Sequence, residues 1–205
     1  MPYGFLDIAN TPSVKAAQET YGSGGVWSKF KGNREFDRFT DAEAEFITAR
    51  DSFYIATVSE TGWPYVQHRG GPPGFLRVLD DKTLGFADFR GNRQFISVGN
   101  LGANDRAAVI LMDYPGRRRL KIYAHTETMD LSTAPPLAEK LAVPAYKAKL
   151  ERAFLLHLAA FDWNCLQHIT PRFSGAELEP LRARLEQLES ENKVLREQLA
   201  GREGA

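Results

Sequence analysis

The chain has little cysteine, no surplus of either charge and no long apolar run. Its 205 residues include one cysteine, Cys165, so no intramolecular disulfide forms, and a lone thiol fits a reducing, cytoplasmic setting. Lysine and arginine together number 26, as do aspartate and glutamate, so net charge does not favour nucleic acid or an anionic membrane as a partner. The most apolar stretch, residues 153–161, is too short to cross a bilayer, and the N-terminus MPYGFLDIAN has no signal-peptide pattern.

Motifs that would assign a chemistry are also missing. The four histidines and one cysteine have no metal-ligand spacing, so the sequence predicts no metal site. There is no Walker loop, no GxGxxG after a predicted strand and no GxSxG elbow. Nothing in the sequence identifies an activating base for Cys165, which we interpret as a packed side chain.

The middle of the chain has the pattern of an antiparallel β protein. Hydrophobic residues make up 43% of the chain, which is enough to form a core. Runs rich in β-branched and aromatic residues alternate with turn residues and predict strands at 53–59, 64–69, 75–79, 83–89, 106–113 and 118–129. Strands at such short spacing, joined by hairpin turns, favour a barrel or a sandwich.

Helices are predicted on both sides of the strands. Thr40 begins the best marked of these, because Glu43 lies three residues later and completes a capping box. Three other short helices are expected over residues 13–20, from Asn92 through Val98, and from Pro135. Residues 147–161 are predicted as a helix, since Leu150, Phe154, Leu158 and Phe161 share one helical face, and residues 162–170 as a last strand or extended segment.

The C-terminal residues 174–205 carry the clearest single pattern, and we expect them to form a helix appended to a domain of residues 1–173. Ser174 and Glu177 form a second capping box. Leucines then repeat in a heptad: the a positions are 178, 185 and 199, with Asn192 between them, and the d positions are 181, 188 and 195. In a parallel pair each g residue faces the following e residue of the partner, giving the opposite-charge pairs Glu177–Arg182, Arg184–Glu189 and Glu191–Arg196.

This heptad predicts a short, parallel, two-stranded coiled coil that assists a dimer already made by the main domain. The alternative is an amphipathic helix that lies on its own core, as short heptads often do. A bZIP transcription factor is excluded, because that class needs a continuous basic helix upstream, and Pro171 interrupts the preceding segment.

Polar side chains cluster at the ends of two predicted strands, residues 65–71 (YVQHRGG) and 86–94 (FADFRGNRQ). Arginines mixed with amide side chains and free backbone N–H groups suit a phosphate carried by a larger polar ligand, which we interpret as a flavin phosphate. The alternative is that these are solvated turn residues. The residues of this predicted site are Gln67, His68, Arg69, Asp88, Arg90, Asn92, Arg93 and Gln94.

Two histidines are candidates to lie near a flavin ring. His68 is next to Arg69, and imidazole titrates near working pH, so it would suit a proton donor, although a histidine held by a structural hydrogen bond is the alternative. His168 follows Gln167 in a polar interruption of an apolar segment. The sequence assigns no catalytic residue.

The order GWPYVQHR then FADFRGNRQ resembles the two FMN strands of the pyridoxamine 5′-phosphate oxidase-like, FMN-binding split-barrel family. The similarity covers residues 51–129 and extends more loosely to residue 173. Where the family has Thr-Asn…Ser-Arg-Lys, this chain has Asp88-Phe89…Asn92-Arg93-Gln94, which keeps the arginine. Gln67 replaces an arginine of the oxidase, and no C-terminal Trp-Arg motif is seen. The closer likeness is to oxidase-related flavoproteins of unassigned substrate, several of which share a QHI-x-P-R-F segment.

The resemblance implies a mainly β, α+β fold: a split β-barrel with flanking helices and, here, the C-terminal coiled-coil helix. It implies a homodimer with FMN at the interface and an FMN-dependent oxidoreductase acting on a small molecule. The amide of Gln167 suits the ring or ribityl chain, so Gln167 and His168 are FMN-binding candidates, and the shared QHI-x-P-R-F segment adds Arg172. A non-catalytic flavin carrier or redox sensor, and a split barrel holding heme or F420, remain as alternatives. No nicotinamide motif is present, which leaves room for a separate reductase partner.

Overall fold

A computed structural model describes residues 4–27, 37–143, 146–163 and 167–203. Among these residues, the chain forms one seven-stranded antiparallel sheet and seven α-helices. The strands are β1 Ser52–Val58, β2 Pro64–Gly70, β3 Arg77–Asp80, β4 Thr83–Phe89, β5 Arg106–Asp113, β6 Arg118–Asp130 and β7 Leu150–Trp163. The helices are α1 Phe5–Ala9, α2 Pro12–Thr20, α3 Gly24–Trp27, α4 Asp41–Thr48, α5 Ile96–Ala103, α6 Pro135–Leu141 and α7 Gly175–Glu203.

The chain divides into two compact units. The first comprises Met1–Asp113 with Arg118–Gln167, and it contains the whole sheet. The second comprises Tyr114–Arg117 with His168–Ala205, and it contains α7.

The strands of the first unit follow the order β2-β1-β5-β6-β7-β4-β3. The β1–β2 hairpin pairs Ser52 with Gly70 through Val58 with Pro64, as its turn residues predict. The edge strands β2 and β3 are not paired with each other, so the sheet is not closed. This is the split-barrel, α+β architecture that the sequence resemblance implies, and the prediction of the fold class is confirmed.

The core of the first unit is built from aromatic and branched side chains on the inner face of the sheet. Phe53, Phe86 and Phe154 are almost fully buried, and the rings of Phe86 and Phe154 stack 4.9 Å apart across β4 and β7. Burying each such side chain contributes about 1.5–3 kcal/mol relative to exposure. The core therefore fixes the facing ends of β4 and β7, next to Asp88 and Arg152.

The predicted helix over residues 147–161 is wrong, because Leu150–Trp163 is the interior strand β7. It pairs with β4 on one side and β6 on the other, and both of its faces are largely covered. A strand that is covered on both faces lacks the alternation of apolar and polar residues by which strands are recognised. In β7 the apolar residues also recur at helical spacing, which led to the helix prediction. His157, predicted on a helix, is a half-exposed strand residue opposite His125.

Two neighbouring predictions also need correction. The extended segment predicted over 162–170 is not a separate strand: β7 ends at Trp163, and Gln167 and His168 form a turn, with residues 164–166 outside the described part. The short helix predicted from Asn92 begins instead at Ile96. The Asn92 side chain accepts a hydrogen bond from the Gln94 N–H (3.1 Å), a local bond that favours a turn over a helix.

The predicted capping box of α4 is present, and it also joins α4 to β7. The Thr40 N–H donates to Glu43 Oε2 (3.0 Å), and Trp163 Nε1 donates to Glu43 Oε1 (2.8 Å). Burial alone would raise the pKa of Glu43, but hydrogen bonds from Thr40 and Trp163 outweigh it and lower the pKa below its ordinary value. Glu43 is therefore an ionised carboxylate at neutral pH.

In the second unit, α7 begins at the predicted capping box. The Ser174 N–H donates to Glu177 Oε2 (2.7 Å), and the Glu177 N–H donates to Ser174 Oγ (3.2 Å). The helix continues for 29 residues, with Pro180 near its start. No helix in the described ranges is both long enough and apolar enough to pass through a membrane.

Candidate functional site

A cavity of about 180 Å³ lies where the ends of β2 and β4 meet the loop that leads into α5. Both strand ends carry polar side chains, as the sequence predicted. Of the eight residues predicted there, six line this cavity: Gln67, Arg69, Asp88, Asn92, Arg93 and Gln94.

The alternation of β2 decides which of its side chains reach the cavity. Gln67 and Arg69 lie opposite Ile55 and Phe53, two core residues of β1, so they share the inner face of the sheet. His68 lies on the other face, where its ring packs edge-on against Tyr54 at 5.5 Å. His68 is therefore not part of this cavity.

Asp88 on β4 joins two arginines at the floor of the cavity. Its carboxylate accepts hydrogen bonds from Arg69 Nη1 (2.6 Å) and from Arg152 Nη1 (2.8 Å). Asp88 is buried and the two guanidinium groups are largely so, which strengthens the attraction between the charges and makes the loss of any one partner costly. The guanidinium of Arg69 also lies 5.2 Å from the Phe154 ring, so both charge and packing fix its position.

One donor of this network is left without an acceptor. The Nε atom of Arg69 is buried and makes no hydrogen bond to any part of the chain that the structure describes. A buried N–H without an acceptor costs about 1–3 kcal/mol, so such atoms at a cavity point to a missing ligand or water.

Arg90 and Glu151 form a second ion pair on the cavity rim. Arg90 Nε donates to Glu151 Oε1 (2.8 Å), and this hydrogen bond lowers the pKa of Glu151 below its ordinary value. Glu151 is thus negatively charged at neutral pH. Around the cavity the guanidinium groups still outnumber the carboxylates by two: Arg69, Arg90, Arg93 and Arg152 against Asp88 and Glu151.

The loop between β4 and α5 has an unusual backbone. Arg93 and Phe95 both have left-handed conformations, with φ of 60° and 55°. Non-glycine residues in this region each store on the order of 1–3 kcal/mol of strain, and such residues cluster at binding sites. The Phe95 ring lies 4.7 Å from the Arg152 guanidinium and 5.8 Å from that of Arg93, so it connects the strained loop to β7.

The first turn of helix α5 lies at the same cavity. Ile96, Ser97 and Val98 of its first turn line the wall. First-turn N–H groups lack intrahelical acceptors and favour anions. Ser97 Oγ also donates to Gln67 Oε1 (2.9 Å), which fixes the Gln67 amide with its nitrogen available as a donor.

The remaining predicted residues lie outside this cavity. Arg90 is on the rim, paired with Glu151. Gln167 is an exposed residue at the end of the first unit. His168, with φ of 62°, and Arg172, whose guanidinium lies 4.9 Å from the Tyr114 ring, belong to the second unit. Their assignment to a cofactor stays a prediction, as does that of the cavity residues.

Several residues of the site were missed by sequence reasoning, among them Tyr65, Phe95, Ser97, Glu151 and Arg152. Tyr65 precedes Gln67 by two residues on β2, so strand alternation would have identified it. Phe95 and Ser97 lie where the predicted helix began too early, at Asn92 instead of Ile96, so the loop before α5 was not recognised as part of the site. Arg152 is next to Asp88 only because residues 150–163 form a strand, so the wrong helix prediction concealed it.

Within the described ranges, no three histidine, cysteine, aspartate or glutamate side chains are arranged to hold a metal ion.

Residues 39–163 match the sequence family described as "Pyridoxamine 5'-phosphate oxidase". This match covers more than half of the chain and the whole sheet. The chain therefore belongs to the pyridoxamine 5′-phosphate oxidase family. No curated protein sequence matches the chain.

Several solved structures are similar at low sequence identity. HupZ from Group A Streptococcus is 16% identical, with 66% of this chain and 99% of that chain covered and a TM-score of 0.47. An FMN-binding protein from Syntrophomonas wolfei is 13% identical, with 73% and 97% covered and a TM-score of 0.45. An F420 reductase is 18% identical, with 60% and 98% covered and a TM-score of 0.44.

Proposed function

We propose that this protein binds FMN in the cavity between β2, β4 and α5, and that it is an FMN-dependent oxidoreductase acting on a small molecule. The observation that carries the proposal is the cluster of guanidinium groups at the cavity, fixed by Asp88 and by aromatic rings. Their surplus of two positive charges complements a phosphate dianion. The lone cysteine, Cys165, suggests a reducing, cytoplasmic setting.

The donors present fit the phosphate end of FMN. Arg69, Arg93 and the first turn of α5 line the cavity. A phosphate oxygen there would accept charge-assisted hydrogen bonds from guanidinium N–H groups. Gln67, held by Ser97, and Gln94 would serve the polar ribityl chain or ring edge, since an amide both donates and accepts.

The cavity of one chain is too small for the whole cofactor. Its volume of about 180 Å³ lies below the range of about 300–1,000 Å³ usual for small-molecule sites. We propose that a second copy of the chain completes the site in a homodimer. A separate apolar surface lies on the outer face of the sheet, where Tyr54, Val58 and Val66 are 38%, 37% and 62% exposed, and it offers a further contact between the two copies.

FMN, when bound, supplies the hydride or electron-pair chemistry. The chain's own residues hold and orient it. Glu151 stays ionised beside Arg90, so it is not the proton donor of this site. Tyr65 lines the cavity and has a hydroxyl that hydrogen-bonds, which makes it a candidate for contact with a substrate.

The first experiment is the visible spectrum of the purified protein and of the supernatant released by heat. FMN, F420 and heme differ plainly in absorption, and mass spectrometry identifies the released species. We expect paired flavin bands and the mass of FMN. A protein that is colourless and fails to bind added FMN would contradict the proposal, as would a bound heme or F420.

The anchoring residues are tested by FMN titration of Arg93→Asn. Asparagine tolerates the left-handed backbone of residue 93, so the variant removes the charge without adding strain. The matched control is Arg117→Asn, which has the same conformation at φ 51° and does not line the cavity. A lost charged hydrogen bond of about 1.5–3 kcal/mol predicts at least tenfold weaker binding for Arg93→Asn. Equal affinities of the two variants would disprove the assignment.

Turnover distinguishes an enzyme from a flavin carrier. We expect the bound flavin to be reduced by NAD(P)H, directly or through an added flavin reductase, and to be reoxidised by a small-molecule acceptor in repeated cycles. Reduction followed by reoxidation with oxygen alone, at a rate that no acceptor raises, would support the non-catalytic carrier instead.

A further inference from the structure

Helix α7 has an apolar stripe that is exposed along its length. Its leucines at the heptad positions retain between 45% and 68% of their accessible surface: Leu181, Leu185, Leu188, Leu195 and Leu199. A row of large exposed apolar side chains on one helix marks an interaction surface.

We propose that α7 pairs with α7 of a second copy of this chain in a parallel, in-register, two-stranded coiled coil. In that arrangement the leucines at a and d fill the seam, and the charged residues at g and e face each other across it. Each of the three g-to-e pairs joins opposite charges, and two-fold symmetry repeats each pair, so the charges favour a second copy of this helix over an unrelated partner.

Asn192 selects the parallel orientation. In a parallel, in-register pair it faces Asn192 of the second copy, and two amides donate to and accept from each other. In an antiparallel pair that sets Leu185 against Leu188, Asn192 faces Leu181 and has no polar partner across the seam. The antiparallel pair also places opposite charges, Arg184 and Glu191, opposite each other, so charge alone does not determine the orientation. The orientation is determined by the buried amide of Asn192, which has a polar partner only in the parallel pair.

The coiled coil is short, and its effect is expected through the whole dimer. About three heptads are marginal alone, but two helices tethered to domains that associate as proposed above meet at a high effective concentration. Pairing of α7 then tightens the dimer without adding any contact to the cavity. The apolar stripe, the charge pattern and Asn192 are all consistent with α7 of a second copy as the partner.

Disulfide trapping in the full chain tests orientation and register. In a Cys165→Ser background, Leu181→Cys places one thiol at a d position, where parallel in-register helices bring the two copies within disulfide range. The matched control is Ser190→Cys at an f position on the opposite side of the helix. Under mild oxidation we expect covalent dimers from Leu181→Cys and few from Ser190→Cys.

Three outcomes of the trapping experiment would overturn the proposal. The first is no covalent dimer from Leu181→Cys. The second is equal trapping at Ser190→Cys, which indicates random collision. The third is a mixed disulfide between Leu181→Cys and Asn192→Cys chains in the absence of the Leu181→Cys homodimer, which indicates antiparallel pairing.

Sedimentation of full-length variants provides a second, independent test. The double variant L181D/L188D places two charges in the seam, and A183D/S190D places the same charges at the same spacing on the outer face. We expect the dimer dissociation constant to rise at least tenfold for the first and less than twofold for the second, with equal helix content by circular dichroism. Equal dissociation constants would show that the stripe does not pair and would refute the proposal.

Discussion

The cavity and helix α7 differ in where their side chains find partners. At the cavity, Arg69 and Arg152 share Asp88, and Arg90 pairs with Glu151, so the charged groups are positioned by contacts within one chain. Along α7 the large apolar side chains are exposed, at up to 68% for Leu181. The charged groups of the first region are positioned within one chain, whereas the second region, under the proposal above, gains its stabilising contacts only on association.

This difference has a measurable meaning. A cluster whose contacts lie within one chain contributes to the free energy of unfolding of that chain, and this contribution does not depend on protein concentration. An exposed seam contributes through mass action, so its effect grows with concentration.

The largest effect is expected at Asp88. Asp88→Asn leaves Arg69 and Arg152 without their shared counter-charge, and removing one member of a buried ion pair costs about 3 kcal/mol or more. Urea unfolding measures this loss. The control is Asp162→Asn, whose pair with Lys121 is about one-third exposed, and which should lose less than about 1 kcal/mol. Similar losses in both variants would mean that the network is no more than a surface pair.

The next effect concerns the α7 seam. Asn192→Leu removes the single polar a position, which raises stability but relaxes orientation and strand number. We expect tighter association together with species larger than a dimer in sedimentation, and a lower yield of the Leu181→Cys disulfide. If the variant stays a parallel dimer with an unchanged trapping yield, Asn192 does not select the pairing.

Glu43 provides a carboxylate held by hydrogen bonds rather than by arginine, which sharpens the contrast with Asp88. Its folded-state pKa lies below the ordinary value of 4.5, so its contribution is present above that pH and is lost as pH falls through the lowered pKa. We expect Glu43→Gln to be less stable than the parent at pH 6, with the gap narrowing below pH 4.5. The control is Glu60→Gln, because Glu60 is an exposed turn residue; its difference in free energy of unfolding from the parent should stay near zero. A gap for Glu43→Gln that does not change with pH would contradict the assignment.

The smallest effect is expected at Glu151 on the cavity rim. Glu151→Gln removes a negative charge near the proposed phosphate and frees Arg90. Because rim pairs are weak and screened, we expect FMN affinity to rise only a few-fold, and less at high salt. Weaker FMN binding by this variant would indicate that Glu151 contacts the cofactor directly.

Sequence reasoning recovered the parts of the fold that local patterns determine. The β1–β2 hairpin, the strand Arg106–Asp113 and both capping boxes depend on residues close together in the chain, and each is present. The strand β7 depends on two neighbours distant in sequence, and its burial on both faces removed the periodic signal. The same limit applied to the cavity. Strands β2 and β4 were identified from their turn residues, whereas Arg152 was not assigned to the site because its segment was wrongly predicted to be a helix.

The position of β7 also orders the events of folding. Asp88 and Arg152 are separated by 64 residues, so the β3–β4 hairpin is synthesised long before the strand that joins it to the rest of the sheet. Closing so large a loop is slow, and until β7 emerges the inner edge of β4 has no strand to pair with. A nascent chain that stops before β7 therefore lacks the site and exposes the unpaired edge of β4. We expect chaperones to bind this protein most strongly at that stage of synthesis.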